Sequence, residues 1–504
     1  MKKKKYFYLL IILIFLSSCS SNQQINEPVL PSIQKFENQN IEKKQEIEQN
    51  QKIDKKEVNV VNNFIKSDIV KHSNLSFYAI DLDSGDVIGN YREETSLVPA
   101  SVMKVVTSAT ALEVLGPDAT LETKLIADGN IKNKMLTGNL YIQGGGDPTL
   151  GSDRVSIDRE AFLKEWVSSL KKAGINTVSG DIIVLDDLFG YEGVSGNWLW
   201  EDMGTGYAPG TYGVSIFDNI YTLYLTSGAP GTTPKITKIS PNIQGLSLDN
   251  QSKASLKNKK DIYVRGIPLD KKRRIFGEVP SNKAGIALKS DIPDPGLFLG
   301  QYFYDYLKKN GITVKGRVTT ARLTSRRPKN PTVIAVTKSV PMSEIVKILL
   351  TRSDNHYTES LYQILEKSQN INISEFWKER GIDVEPLIMR DGSGLSRSDV
   401  VSTKLLVDIL NYMNKNFDRE SQVKFEELFP VAGVNGTVAG FLKNTPLEGK
   451  ARVKSGSMSG IQSYTGYVEN NGKKYAFAVI VNHWSGNRSE LKAELEKLLN
   501  NLFK

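Results

Sequence analysis

Apolar and polar residues alternate from Leu75 to Leu82 and again from Asp86 to Tyr91, with the turn residues Asp83-Ser84-Gly85 between the two runs. That pattern predicts a β-hairpin. Next comes Val98-Pro99-Ala100-Ser101-Val102-Met103-Lys104 and an apolar run from Val105 to Gly116. Pro99 suits a helix entry, where a missing N–H costs nothing, and Gly116-Pro117 supplies a stop, so one helix is predicted to begin at Ser101. The far end of the chain mirrors this order. Gly460 to Val468 and Lys474 to Trp484 read as strands joined by Asn471-Gly472, and Leu491, Leu495, Leu498, Leu499 and Leu502 mark one face of a closing helix. Strands from both ends, with helices between them, predict one antiparallel sheet flanked by helices.

Between about Gly116 and Asp294 the texture changes. Short strand-like runs (Glu122 to Ala127, Gly138 to Gln143, Asp181 to Leu185) alternate with Gly-rich turns, and a helical run spans Asp158 to Lys172. This predicts a large β-rich insertion over 118–290, dividing a body made of 62–117 and 291–504. Leu170-Lys171-Lys172-Ala173-Gly174-Ile175 echoes Leu307-Lys308-Lys309-Asn310-Gly311-Ile312, and a Gly-capped helix entering a strand accounts for the echo without a repeat.

The N-terminal region has a different character. Lys2 to Lys5 followed by Tyr6 to Leu16 form a basic end and an apolar segment too short to span a bilayer comfortably, the pattern of an export signal over 1–18. Leu16-Ser17-Ser18-Cys19 resembles the lipobox of bacterial lipoproteins. That resemblance implies acylation of Cys19, export and membrane attachment through the lipid on the periplasmic face, and Ser20 is compatible with sorting to an outer membrane. From Ser20 to about Val60, Asn, Gln, Lys, Glu and Ile dominate, too little apolar surface to offset ordering entropy, so 19–61 reads as a flexible tether. A charged helix over Ile41 to Val58 is the alternative, also outside the folded body.

The 504-residue chain is long enough for two or three domains. Cys19 is its only cysteine, which excludes an internal disulfide. Loss of residues 1–18 removes four lysines and no acid, so the formal charge of +9 becomes +5. That mild excess suits an anionic wall or membrane surface, and no basic cluster interleaved with aromatics argues for nucleic acid. His72, His356 and His483 lack ligand spacing, so neither a metal nor another cofactor is implied.

Ser101 and Lys104 share a helix face, which puts an amine beside a hydroxyl whose own N–H is an unpaired helix-terminal donor. This is a candidate nucleophile, base and half of an oxyanion hole. By itself the spacing is weak, because Ser32, Ser168, Ser169, Ser421 and Ser489 also have a lysine three residues on. Two later segments change the odds: Ser353-Asp354-Asn355 after the helical pattern Ile345, Ile348, Leu349, Leu350, and Lys454-Ser455-Gly456-Ser457 at a predicted sheet edge.

The ordered trio resembles the motif set of penicillin-binding proteins and class A β-lactamases. The step from Ser101 to Ser353 is far wider than a β-lactamase needs, and the body from about 62 to 504 is similar to the class C low-molecular-mass penicillin-binding proteins of type 4, the D-alanyl-D-alanine carboxypeptidase/endopeptidases. Gly144-Gly145-Gly146-Asp147-Pro148-Thr149-Leu150, Asp391-Gly392-Ser393-Gly394-Leu395-Ser396 and Gly433-Val434-Asn435-Gly436-Thr437 extend the likeness. The third motif is Lys-Ser-Gly where the family more often has Lys-Thr-Gly; serine keeps the hydroxyl.

The resemblance implies an α/β (α+β) fold of the penicillin-binding-protein/β-lactamase type, peptidoglycan peptides as substrates and β-lactams as acylating inhibitors. It implies Ser101 as nucleophile and Lys104 as base, with Lys454 lowering the pKa of Lys104 by like charge. Ser353 would relay a proton and Asn355 would hold lysine and substrate. The N–H groups of Ser101 and Ser457 would form the oxyanion hole, and Lys454 and Ser455, beside Gly456, would bind the terminal carboxylate. Carried over from the segment Trp200 to Tyr207, Asp202 would take the distal ammonium of diaminopimelate, with Tyr207 and Met458 lining that pocket. Two other classes compete: a β-lactamase, and a non-catalytic, lipid-tethered wall-binding protein that retains the fold.

Overall fold

The computed structural model describes residues 55–504. The predicted signal segment, Cys19 and the tether up to residue 54 lie outside the described residues. The tether expected to reach residue 61 ends earlier. Helix α1 (Lys55–Ile65) belongs to the folded body, because Val61 and Phe64 are buried in one cluster with Leu491, Leu495, Leu498 and Leu502. Strands β1 (Asn74–Asp81) and β2 (Val87–Tyr91) form the predicted hairpin. After a single 3-10 turn, Ala100–Val102, helix α2 (Met103–Leu115) runs to Gly116, whose left-handed φ of 86° terminates it.

The insertion opens with the antiparallel pair β3 (Glu122–Lys132) and β4 (Met135–Gln143). A small sheet further along holds β5 (Asp261–Arg265) and β6 (Lys272–Pro280), also antiparallel. Strand β7 (Pro331–Lys338) then returns to pair with β3. The boundary expected at residue 290 therefore moves to about Lys338. Its physical cause is packing: the helix Pro295–Lys309 puts Phe298, Leu299, Phe303 and Leu307 into one core with Leu136, Ile142 and Trp166. The sequence echo has a structural counterpart, since Thr177–Val178 and Thr313–Val314, each following a Gly-capped helix, pair side by side in parallel.

The body resumes with α3 (Met342–Arg352), α4 (Asn355–Gln363) and α5 (Thr403–Tyr412). It closes with β8 (Ala451–Met458), β9 (Ile461–Asn470), β10 (Lys473–Asn482) and helix α6 (Arg488–Leu502). The central sheet has the order β8-β9-β10-β1-β2, antiparallel throughout, so the two ends of the folded body do meet in one sheet. Period-two alternation divides β10 between two cores. Ala476, Ala478 and Ile480 face the α2, α3 and α5 side, while Phe477, Val479 and Val481 face α1 and α6. A strand buried on both faces reads as a continuous apolar run, which is why Tyr475 to Val481 shows no polar interruption.

Candidate active site

The predicted helix at Ser101 begins two residues later, and Ser101 itself lies in the 3-10 turn that precedes α2. Ala100 takes a left-handed φ of 51°, a strain of order 1 kcal/mol beside the candidate nucleophile. Lys104 is one turn on, fully buried, with its Nζ 3.1 Å from Ser101 Oγ, 2.6 Å from Asn355 Oδ1 and 2.7 Å from the carbonyl of Ser393. A neutral amine has two N–H donors and one lone pair. The two short contacts are to pure acceptors, which leaves the lone pair for the hydroxyl of Ser101.

Ser353 caps the C-terminus of α3 in the left-handed conformation (φ 56°), and Asp354 caps the N-terminus of α4 by accepting from Tyr357 N. Two helix ends meeting head to tail thus aim Ser353 and Asn355 into one cleft. Lys454, on the edge strand β8, is fully buried and donates to Ser353 Oγ at 2.8 Å and to its neighbour's carbonyl, that of Ser455. Strand β8 reaches the Ser101 turn because residue 456 has no side chain. A Cβ there would sit 2.7 Å from Pro99 O and 2.9 Å from Ser101 N. Ser455 Oγ and Thr437 Oγ1 share a hydrogen bond of 2.8 Å, which ties Gly433–Thr437 to the third motif.

Burial pushes the Lys104 amine down to about 8, against the pull of Asp391, Glu359, Asp354 and Asp399. Lys454 falls well below the ordinary lysine value, first by burial and then by the like charge of Lys104. Desolvation is thus the larger cause for both amines, ahead of the like charge between them.

The sequence reading assigns no role to the acids beneath this pair, although Asp391 opens one of the segments that extend the likeness. Glu359, one turn after Asn355 on α4, accepts from Ser393 N at 2.8 Å, and so fixes the loop whose carbonyl holds Lys104. Asp391 accepts from Gly394 N (2.6 Å), Ser396 N (2.7 Å) and Trp198 Nε1 (2.7 Å). Burial raises Glu359 to about 8 and Asp399 to about 9. Arg488 was also missed. Leading α6, it donates to Ser457 Oγ and, at 2.7 Å, to the carbonyl of Met458.

The insertion meets the body along α4. Arg154 pairs with Asp354 and lies over the Tyr357 ring, 5.1 Å from its centroid. His356, which directly follows the second motif, is buried between Thr211 Oγ1 (3.3 Å) and Ser215 Oγ (3.0 Å), and burial lowers its pKa to about 4. Asp202 and Tyr207 sit on an insertion loop with Tyr207 Oη 2.8 Å from Asp202 Oδ1. Asn355 Nδ2 donates to the carbonyl of Tyr207 at 2.8 Å, so that loop abuts the same residue that holds Lys104. Asp202 is buried and its pKa is raised by desolvation, with the Tyr207 hydroxyl opposing. Met458 ends β8; its place in a pocket with Asp202 remains a proposal. No group of three or more His, Cys, Asp or Glu arranged to hold a metal occurs among the described residues.

Comparison with known proteins agrees with this geometry. The chain is 26% identical over 444 residues to D-alanyl-D-alanine carboxypeptidase DacB of Haemophilus influenzae, covering 85% of this chain and 89% of that protein. It is 27% identical over 427 residues to a D-alanyl-D-alanine carboxypeptidase of an Actinomadura species, covering 81% and 77%. The crystal structure of penicillin binding protein 4 (dacB) from Haemophilus influenzae superposes with a TM-score of 0.76 at 25% identity, covering 88% of this chain and 98% of that one. The same protein complexed with a novel β-lactam gives 0.70. The profile of the D-Ala-D-Ala carboxypeptidase 3 (S13) family matches residues 57–502. With nearly all of its described residues inside that match and the three motif segments hydrogen-bonded around two buried amines, Lys104 and Lys454, the chain belongs to the D-Ala-D-Ala carboxypeptidase 3 (S13) family.

Proposed function

We propose that this serine carboxypeptidase removes terminal D-alanine from peptidoglycan stem peptides, and cuts D-alanyl cross-links, through an acyl-enzyme on Ser101. One observation carries the reading: the buried Lys104 Nζ lies between Ser101 Oγ and Asn355 Oδ1 with its pKa brought toward neutrality. Lys104 takes the proton as Ser101 Oγ attacks the carbonyl, and the new C–O bond leaves an oxyanion facing the N–H groups of Ser101 and Ser457. Loss of one such donor costs roughly 3 kcal/mol. Collapse breaks the C–N bond, and the proton returns to the leaving nitrogen through Ser353, whose Oγ is held by Lys454. Water then hydrolyses the ester with Lys104 again as base. Lys454 and Ser455 bind the terminal carboxylate, and Asp202, with Tyr207 and Met458, takes the distal ammonium of diaminopimelate.

β-Lactams present a strained amide to the same serine. Labelled penicillin is expected to give a stable adduct with the protein and none with Ser101→Ala, which also loses D-alanine release from a pentapeptide. Rapid penicillin hydrolysis without a stable adduct would indicate a β-lactamase, and function undisturbed by Ser101→Ala would indicate a wall-binding role. We also infer acylation at Cys19 and attachment to a membrane on the periplasmic side, supported by the basic end, short apolar segment and lipobox-like Leu16 to Cys19. Cys19→Ala is then expected to abolish incorporation of labelled fatty acid and to release the protein from membranes.

A further inference from the structure

We propose that Arg265, at the rim of the Asp202–Tyr207 pocket, pairs with a substrate carboxylate carried by the stem residue that precedes the one entering the pocket. The inference rests on the substrate reading above. It starts from alternation along β5 and β6: Ile262, Val264 and Ile275 point into the insertion core, while Tyr263, Arg265, Arg274 and Phe276 share the outer face. On that face the Arg265 guanidinium lies over two rings, 5.3 Å from the centroid of Tyr263 and 5.3 Å from that of Phe276, and donates to the carbonyl of Val264 at 3.0 Å.

Neighbouring cations have acid partners. Arg273 pairs with Asp291 at 2.8 Å, Lys257 with Glu278 at 3.2 Å and Arg274 with Asp249 at 3.5 Å. Arg265 makes no ion pair among the described residues. A guanidinium stacked on aromatic faces keeps its in-plane N–H edge free, and that edge matches a carboxylate.

Strand β5 ends against the pocket loop. Gly266 N–H points to the carbonyl of Met203 at 3.4 Å, and a Cβ on Gly204 would lie 3.1 Å from Arg265 Cα. Burial raises the pKa of Asp202 and of Tyr207, the field of Arg265 reaches both and opposes that rise, and the field of Glu201 reaches Tyr263. Acid and guanidinium therefore form a bipolar surface: an ammonium for Asp202 and, outside the pocket, a carboxylate for Arg265. Because Arg265 stands on the sheet face and not among the pocket's hydrogen bonds, its partner belongs to the adjoining residue. In a stem peptide that residue is a γ-linked glutamate with a free α-carboxylate.

The test uses the full chain, a diaminopimelyl pentapeptide, and the same peptide amidated either at the glutamate α-carboxylate or at the second carboxylate of diaminopimelate. Arg265→Ala is expected to raise KM for the free-acid peptide about tenfold with kcat nearly unchanged, to leave penicillin acylation within twofold of wild type, and to be partly rescued by Arg265→Lys. Amidating the glutamate is expected to cost wild type the same factor and Arg265→Ala nothing more. The inference is overturned if Arg265→Ala turns over the free acid like wild type, if its loss persists on the glutamate amide, or if only amidation of diaminopimelate erases the difference. A wild-type protein that neither binds penicillin nor releases D-alanine would sink the underlying reading as well, whereas full turnover with no dependence on Arg265 sinks this inference alone.

Discussion

The cleft lysines and the Asp202–Tyr207 pocket solve opposite electrostatic problems. Lys104 and Lys454 are both fully buried, with hydroxyl, amide and carbonyl oxygens as their direct partners. Desolvation there destabilises the cation and favours a basic amine. In the pocket, Asp202 is buried but its partner Tyr207 is 52% exposed, and the loop that carries them touches the body through the Tyr207 carbonyl. On the proposed reading, that carboxyl group stands near the edge of water, where it would meet a cation arriving with the substrate. The proposed function thus puts the chemistry in the interior of the body and recognition on the insertion. Asn355 holds both, with Oδ1 on Lys104 and Nδ2 on Tyr207.

The sharpest way to separate the two regions is to remove the base without touching the pocket. Lys104→Met preserves volume and replaces a buried amine by an apolar chain, so the fold is expected to survive. Acylation by fluorescent penicillin is expected to slow by about 10³-fold, within the range assigned to general base catalysis. A smaller effect of the same kind follows from Gly456→Ala. The added methyl meets Pro99 O and Ser101 N at 2.7 and 2.9 Å, pushes β8 off the turn, and spoils the approach of Ser457 N–H to the oxyanion. About 100-fold slower acylation is expected, with a stability loss of about 2 kcal/mol in urea titration.

What was readable from the chain depended on the range of the interaction. The hairpin at Asp83-Ser84-Gly85 and the five leucines of α6 were legible because turn chemistry and helical spacing are local. The convergence of Ser101, Ser353 and Lys454 was legible only through the order of three motifs. Strand β7 was not assigned correctly, because its partner β3 lies about 200 residues earlier and nothing within Pro331–Lys338 says which sheet it joins. Val60, Val61, Phe64 and Ile65 did carry a signal for α1, hidden by the polar tract before them. Glu359 belongs to none of the three motifs; its position four after Asn355, hence on the same helix face, was the available clue. The like charge of the two lysines was legible, but counting charges cannot weigh burial, which is the larger cause for both.

The pocket is tested by Asp202→Asn, which keeps shape and removes charge. Penicillin acylation is expected to stay near the wild-type rate, while kcat/KM for a diaminopimelyl pentapeptide falls about 30-fold, on the order of 2 kcal/mol for a charge-assisted contact. Acetylating the distal amine of the peptide is expected to abolish the difference between the two proteins. Equal losses on penicillin and peptide would instead mean that the pocket loop acts on the cleft through Asn355.

The smallest effect probes the boundary between the regions, at the acids under Lys104. Lys104 is faced by Asp391, Glu359, Asp354 and Asp399 and by the amine of Lys454, and Glu359 is faced by Asp391, Lys104 and Tyr362. Every ionised fraction of Glu359 raises the pKa of Lys104, and Gln has none. Glu359→Gln is therefore expected to move the acid limb of penicillin acylation to lower pH by less than about one unit, while its amide oxygen still accepts from Ser393 N. Stability gives an independent check. The folded-state pKa of Glu359, about 8, lies above its ordinary 4.5, so the native protein holds a proton that the unfolded chain has released across that interval. Stability from this group is complete below pH 4.5 and lost as pH rises toward 8. Relative to wild type, Glu359→Gln is expected to melt about 2 °C higher at pH 8.5 than it does at pH 4.5. A pH-independent difference in melting temperature, or an acid limb that moves upward, would mean that Glu359 is ionised throughout and acts as a fixed countercharge to Lys104.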